Sequence, residues 1–482
     1  MANRIERRIT TVQGIKVKTT ALSASLVRGS KESVRVDRIP SNLLDELPTR
    51  ELSDYGSRIS NLLELLGDGN TPVESLEESS IKIIPPIIME DNDSPLSDND
   101  ILVLADADRT TEEKDDPSKN TTIELEKRLL YLKNKFSKRI SRIFDTMKTD
   151  VLGEEGDVAL FERLVRSVYG EARYSVVGKI GAGGMGSVFL LTDQELNMYV
   201  AKVAFEQILR HKFPEIKETF VKEAKNLTLL AMAEKKFSKK FSGIARMIDS
   251  RDCMTYEEIG SAIFFMTEYV SGCNLTNWLK YQTIRAQRKG ERNYEKLSTP
   301  EVAYIAYCLF EILDLLRRAE IKHGDFDPTN IMMDRNGKIK IIDLGVSENF
   351  TDWDGELISK GVFKGKVRYA APELIVPFVS EERIDQESFY AADFYSLGIV
   401  LFILATGEYP EKLIEIKNLT NFLHIFSKDR EILTKRDLSL LPEELKILIP
   451  LLLKRNPLER LTNTDLGIRL ASYIISSCLD IF

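Results

Sequence analysis

His323-Gly324-Asp325-Phe326-Asp327-Pro328-Thr329-Asn330 is the stretch on which the reading of this 482-residue chain turns. A short apolar run separates it from Asp343-Leu344-Gly345. Two carboxylates and an amide, on loops beside strands, suit the handling of a magnesium-bound phosphate. Mg²⁺ takes hard oxygen ligands and keeps several waters, so one or two carboxylates plus phosphate oxygens complete its shell. Asp325 is then the candidate base, and Asn330 and Asp343 are the candidate metal ligands. The bland alternative is a polar turn after a helix.

Upstream lie the partners such chemistry needs. Ser175–Ile180 reads as a strand and runs into Gly181-Ala182-Gly183-Gly184-Met185-Gly186-Ser187-Val188. Glycines permit positive φ and let backbone approach phosphates closely. A lone G-x-G-x-x-G is weak, because dinucleotide folds share it. Here the motif continues into Val188-Phe189-Leu190-Leu191, a strand and not a helix, which favours a hairpin over a dinucleotide-binding turn. Next comes Tyr199-Val200-Ala201-Lys202-Val203. A lysine between apolar neighbours in a strand is costly to bury unless paired. Glu223, on the helical segment Phe220–Leu227, is the expected partner. The alternative is an edge-strand lysine with its amine in solvent.

Taken in order, these motifs resemble the eukaryotic-like (Hanks-type) protein kinases, and the resemblance covers residues 172–475. It implies an α+β, bilobal fold: a small antiparallel sheet lobe with one main helix, and a larger, mainly helical lobe. It also implies an ATP site lined by Ile180, Gly181, Ala182, Gly183, Gly184, Met185, Gly186, Val188, Ala201, Lys202, Thr267, Glu268, Val270 and Met332. Thr267 would be the gatekeeper, and the backbone of Glu268 and Val270 would bond adenine. Mg²⁺, with Mn²⁺ as the alternative ion, would sit on Asn330 and Asp343. Glu373, in Tyr369-Ala370-Ala371-Pro372-Glu373, would pair with Arg460. Asp393 would accept backbone hydrogen bonds from the catalytic loop. The Gly183-Gly184-Met185-Gly186 wording is similar to bacterial members.

The resemblance implies transfer of the γ-phosphoryl of MgATP to Ser/Thr hydroxyls of proteins, the kinase itself included. Two other readings stand beside it: a small-molecule phosphotransferase, which also carries a His-Gly-Asp string, and a pseudokinase or scaffold. The complete residue set weighs against a pseudokinase, and the Glu373, Asp393 and Arg460 elements weigh against a small-molecule enzyme. Three positions depart from the family. Gly324 stands where many members have an arginine that binds a phosphorylated activation loop. Asp327 stands for a lysine, and Lys366 for a threonine. The last two suggest a charge-swapped support for the loop, with Lys366 as a further catalytic candidate, and they leave the acceptor hydroxyl, Ser/Thr or Tyr, open.

Charge is unevenly spread. Residues 1–40 carry nine Lys/Arg against three Asp/Glu, and residues 41–120 carry six against twenty; the remainder is balanced. A balanced catalytic part gives no electrostatic case for nucleic acid. The acidic, Ser-, Asn- and Pro-rich stretch cannot bury enough apolar surface to offset its ordering entropy, so residues 1–120 read as a disordered tail. Residues 121–171 read as a helical extension. Thr121 and Glu124 form a capping box, and Leu125, Leu129, Leu132, Phe136, Ile140, Ile143 and Met147 then line one face. A shorter helix follows over Val158–Tyr169. Both are expected to pack on the kinase lobes, with the tail or the 121–148 helix as a candidate docking element. Four scattered cysteines, Cys253, Cys273, Cys308 and Cys478, fit a reducing compartment. With no signal-like start and no membrane-length apolar run, the expectation is a protein without an integral membrane segment. It would work in the cytoplasm, or as a secreted effector inside a host cell.

Overall fold

The computed structural model describes residues 34–35, 117–146, 155–183, 186–237, 243–256, 260–288, 296–349, 362–363, 366–375, 385–414, 416, 421–422, 425–426 and 431–479. Gly184, Met185 and most of the expected tail therefore lie outside the described residues.

Helix α1 spans Pro117–Thr146 and α2 spans Glu155–Tyr169. The first begins four residues earlier than the expected capping box, so Thr121 and Glu124 lie in its body. Proline suits a first turn because its fixed φ is helical and its missing N–H would have no partner there. Glu124 instead pairs with Arg128, 3.1 Å away, one turn on.

The small lobe is a five-stranded antiparallel sheet. Its strands are β1 (Tyr174–Gly183), β2 (Gly186–Asp193), β3 (Met198–Phe205), β4 (Met247–Tyr256) and β5 (Gly260–Glu268), in the order β1-β2-β3-β5-β4. Helix α3, Phe213–Lys236, enters between β3 and β4. Register sorts the side chains by face, because residues directly opposite share a face and successive residues alternate. Val188 lies opposite Lys202, and Val200 opposite Thr267, on the face toward the large lobe. Phe189, Ala201 and Met266 form the neighbouring row on the outer face. There they join Phe161, Leu164 and Val165 of α2 in a closed apolar cluster.

The large lobe starts with β6 (Gly272–Asn274), α4 (Leu275–Arg288) and α5 (Thr299–Arg318). Then come β7 (Ile321–Lys322), β8 (Ile331–Asp334), β9 (Ile339–Ile341) and β10 (Glu348–Asn349). Strands β6, β8 and β9 form one small sheet, and β7 and β10 form another. These two sheets hold the catalytic stretch. A two-residue strand, Val34–Arg35, pairs with Val362–Phe363.

Helix α6, Gln386–Thr406, is apolar on every side and buried on every side. It is long and apolar enough to cross a membrane, with a mean hydropathy of 1.7, but 94% of that window is buried in the large lobe. It packs against α5 and against α7, Leu445–Leu452. The last helix, α8 (Thr464–Cys478), lies along α5 and α1. Leu132, Phe136, Ile140 and Ile143 of α1 belong to this lobe's core. Gly337 lets α1 come close: a Cβ there would sit 2.0 Å from the Lys133 carbonyl oxygen. Lys135 and Arg139 of α1 pair with the buried Glu301 at 3.1 and 2.7 Å.

Candidate active site

Lys202, in the middle of β3, bridges two carboxylates. Its Nζ lies 2.6 Å from Glu223 Oε2 and 3.1 Å from Asp343 Oδ1. Burial alone would lower the pKa of this ammonium, but the carboxylates of Asp343 and Glu223 outweigh it and hold the pKa above its ordinary value. Asp343 adopts a left-handed backbone, φ +63°. Gly345 follows it so closely that a Cβ would lie 3.0 Å from both Asp343 Oδ1 and Lys202 Nζ. Any larger residue would push into the ion triad.

The same face of α3 carries a second polar residue one turn beyond Glu223. Asn226 is 1% exposed and donates to Ser347 Oγ at 2.9 Å. Ser347 Oγ in turn donates to the Leu344 carbonyl at 2.6 Å. Helix α3 is thus tied to both sides of Leu344, which is buried in the core. Sequence reasoning missed Asn226; its i+3 spacing from Glu223 was the available signal.

The catalytic stretch is fixed from below by Asp393 of α6. Its two oxygens accept from the backbone N–H groups of His323 at 2.6 Å and Gly324 at 3.0 Å. Burial raises the pKa of this carboxyl against those bonds. Gly324 sits at φ +77°, with the Val346 carbonyl oxygen 3.0 Å from where a Cβ would stand. An arginine here would have to accept a left-handed backbone and a tight contact. Asn330 Nδ2 donates to Asp325 Oδ2 at 3.0 Å and to the Asp325 carbonyl at 2.8 Å. That leaves the Asn330 amide oxygen as the atom it can offer a cation.

Asp327 is 1% exposed and fully engaged. Its Oδ1 accepts from Thr329 N at 2.7 Å and Thr329 Oγ1 at 2.6 Å, and its Oδ2 accepts from Lys366 Nζ. Lys366 and Asp325 line one small pocket with Tyr369 and Asp393. Farther out, Arg460 forks onto Glu373 through both terminal nitrogens. It also donates to the Ala391 carbonyl at 2.8 Å and the Lys454 carbonyl at 3.0 Å.

One expected nucleotide contact is placed elsewhere. Ala201 is fully buried in the outer cluster under α2, with Val203, and not in the cleft. Strand alternation gives the cleft position beside Lys202 to Val200 instead. Gly181, Val188 and Thr267 share the cleft face by register. The Glu268 N–H is taken by the Arg246 carbonyl at 2.9 Å, and its side chain pairs with Lys340. Met332 lies in β8 beside Asn274 and Lys340.

A match to the protein kinase domain family runs over residues 174–469, more than half of the chain. The chain belongs to the protein kinase family. Among its relatives is a probable serine/threonine-protein kinase of Corynebacterium glutamicum, 27% identical over 239 residues, which are 49% of this chain and 32% of the relative. A serine/threonine-protein kinase of Candida albicans is 27% identical over 315 residues, 63% of this chain and 34% of the relative. Serine/threonine-protein kinase A of Synechocystis is 26% identical over 244 residues, 49% and 41% respectively. This kinase-family chain thus matches about a third of the length of such relatives. They are named for the hydroxyls of serine and threonine, and the Glu373–Arg460 fork and Asp393 anchor sit at the positions where the family motifs placed them.

Proposed function

We propose that the chain is a protein kinase that transfers the γ-phosphoryl group of MgATP to Ser/Thr hydroxyls of protein substrates, itself among them. The observation that carries the reading is Lys202 held between Glu223 and Asp343. A buried lysine with two carboxylates is oriented in advance, ready to neutralise phosphate oxygens near Asp343. In phosphoryl transfer, positioning and charge stabilisation do most of the work.

Asn330 and Asp343 are the residues that would hold Mg²⁺. One amide oxygen and one carboxylate beside a phosphate site suit an ion that completes its shell with waters and phosphate oxygens. When bound, the ion supplies neutralisation of phosphate charge. Lys202 would contact the nucleotide's phosphates, and Glu223 would keep that ammonium in place. The Asp325 carboxylate, oriented by Asn330, would accept the proton of the attacking hydroxyl. The glycine-rich segment 181–186 and Val188 would cover the nucleotide, and the Glu268 carbonyl and Val270 N–H would meet an adenine edge.

Incorporation of label from γ-labelled ATP into a generic protein substrate tests this reading. Lys202→Met and Asp343→Ala should each abolish incorporation while circular dichroism shows the fold intact. Undiminished labelling in Asp343→Ala would sink the metal assignment. Labelling of a small molecule and not of protein would favour the phosphotransferase reading.

A further inference from the structure

The outer face of a glycine-rich hairpin has little to hold it. Glycine gives the backbone freedom that must be lost when a ligand is bound. In this chain that face is covered. Helix α2 lies over the sheet, with Phe161 stacked on Phe189 at 4.3 Å between ring centroids. At the start of α2, Asp157 reaches both strands of the hairpin. Lys179 of β1 donates to Asp157 Oδ2, and Ser187 of β2 donates to the same oxygen at 3.4 Å.

The two contacts flank the loop. Lys179 stands two residues before Gly181, and Ser187 follows Gly186 directly. Register places Lys179 opposite Phe189 and Ser187 opposite Val203, on the outer face and away from the cleft. Between Lys179 and Gly181 the ladder slips by one residue, so Ile180 lies at an irregularity. Lys179 is only 5% exposed. A lysine that could reach solvent from a surface strand is instead folded under a helix that lies outside the family match. Helix α2 is followed directly by β1, and α1, before it, is packed into the large lobe. The brace therefore belongs to an extension seated on both lobes.

We propose that Asp157 is a positioning residue for nucleotide binding. By joining Lys179 to Ser187 it keeps the glycine hairpin seated over the phosphates, so that less order has to be imposed when ligand binds. The proposal rests on the reading of the cleft as an MgATP site.

The test compares two ligands on the full chain: a non-hydrolysable MgATP analogue and adenosine. The hairpin covers phosphates, whereas adenosine relies on the hinge. Asp157→Asn should weaken the analogue by about fivefold or more and leave adenosine within about twofold. KM for ATP should rise with little change in kcat. The reversal Asp157→Lys with Lys179→Asp should restore part of the affinity. Ser187→Ala gives a milder variant should Asp157→Asn fold poorly, with a smaller loss of the same selectivity. Unchanged analogue affinity in both variants, or an equal loss for both ligands, overturns the proposal. Failure of the parent chain to bind the analogue at all would overturn the nucleotide reading beneath it.

Discussion

The ammonium of Lys366 pairs with the carboxylate of Asp327 and donates to Thr329 Oγ1 at 2.6 Å, joining the activation segment to the catalytic loop. Asp327 carries a negative charge where the family usually has a lysine, and Lys366 brings a positive charge where it usually has a neutral threonine. Without a cation, Asp327 would place a third carboxylate beside Asp325 and Asp343, where like charges disfavour one another and incoming phosphate. Lys366 is about a third exposed, so it can neutralise Asp327 and still face the pocket that Asp325 lines. Lys366→Ala should lower the turnover rate at least about tenfold, or ~1.4 kcal/mol of transition-state stabilisation. Asp327→Lys combined with Lys366→Thr should recover part of that loss. Steady-state kinetics with saturating ATP reads both, and a Lys366→Ala enzyme as fast as the parent ends the argument.

Arg460 offers a test of structure independent of chemistry. Its side chain is sealed off from solvent, forks onto Glu373 and donates to three carbonyls, of Ala391, Lys454 and Arg455. Breaking one partner of a buried pair leaves the other charged and unsolvated, at a cost of about 3–5 kcal/mol. Glu373→Gln and Arg460→Met should each lower the urea midpoint accordingly. The double variant should lose less than the two single losses combined, because neither charge is then stranded. Additive losses would show that the fork is not the unit.

The parts of the site bound by chemistry were legible in the sequence. Phosphate handling demands glycines, a lysine and carboxylates at set spacings; Lys202 meets Glu223 and Asp343 in one ion triad, and Asn330 bonds Asp325. Helix positions were legible too, since Leu132, Phe136 and Ile140 follow a helical period regardless of what covers them. What depends on docking was not. Nothing local tells that Lys135 and Arg139 turn to a buried Glu301, or that Lys179 lies under α2. Ala201 was misassigned for a different reason: a motif match ignores strand alternation, which turns Ala201 outward and Val200 inward. The start of α1 at Pro117 was missed because Thr121 and Glu124 satisfy a capping pattern, whereas the helix starts on a proline that suits a first turn and Glu124 pairs along it with Arg128.

Substrate choice can be argued from two neutral residues. Kinases that select arginine before the phosphorylated site place acids just before the catalytic asparagine and shortly past the hinge. Here those positions hold Thr329 and Asn274. The Thr329 hydroxyl is engaged by Asp327 and Lys366, and Asn274 Oδ1 accepts from Asn277 N at 2.8 Å as the cap of α4. With both positions neutral and Asp327 already paired with Lys366, an arginine-rich peptide gains nothing at this edge. A positional peptide array should show no enrichment for upstream arginine; strong selection for it would contradict the reading.

The extension divides into a part that should be dispensable and a part that should not. Helix α1 begins at Pro117, and its fully buried core residues start at Leu132, with Leu125 and Leu129 packed at the edge of that core. A chain starting at Pro117 should keep turnover within about twofold of the full protein. It also removes Val34–Arg35 and hence their pairing with Val362–Phe363. A larger change in rate, in either direction, would assign that pairing a regulatory role. Phe136 is different: it is fully buried and stacks on Tyr304 with ring centroids 5.6 Å apart. Phe136→Ala deletes a large side chain from the shared core and should cost about 3–5 kcal/mol. For a domain of this size that lowers the melting temperature by roughly 6–15 °C. The loss should appear in thermal unfolding of the kinase lobes themselves, because α1 shares their core. A melting curve unmoved by Phe136→Ala would mean that α1 sits on the large lobe without stabilising it, and the extension would then be an appendage and not part of the fold.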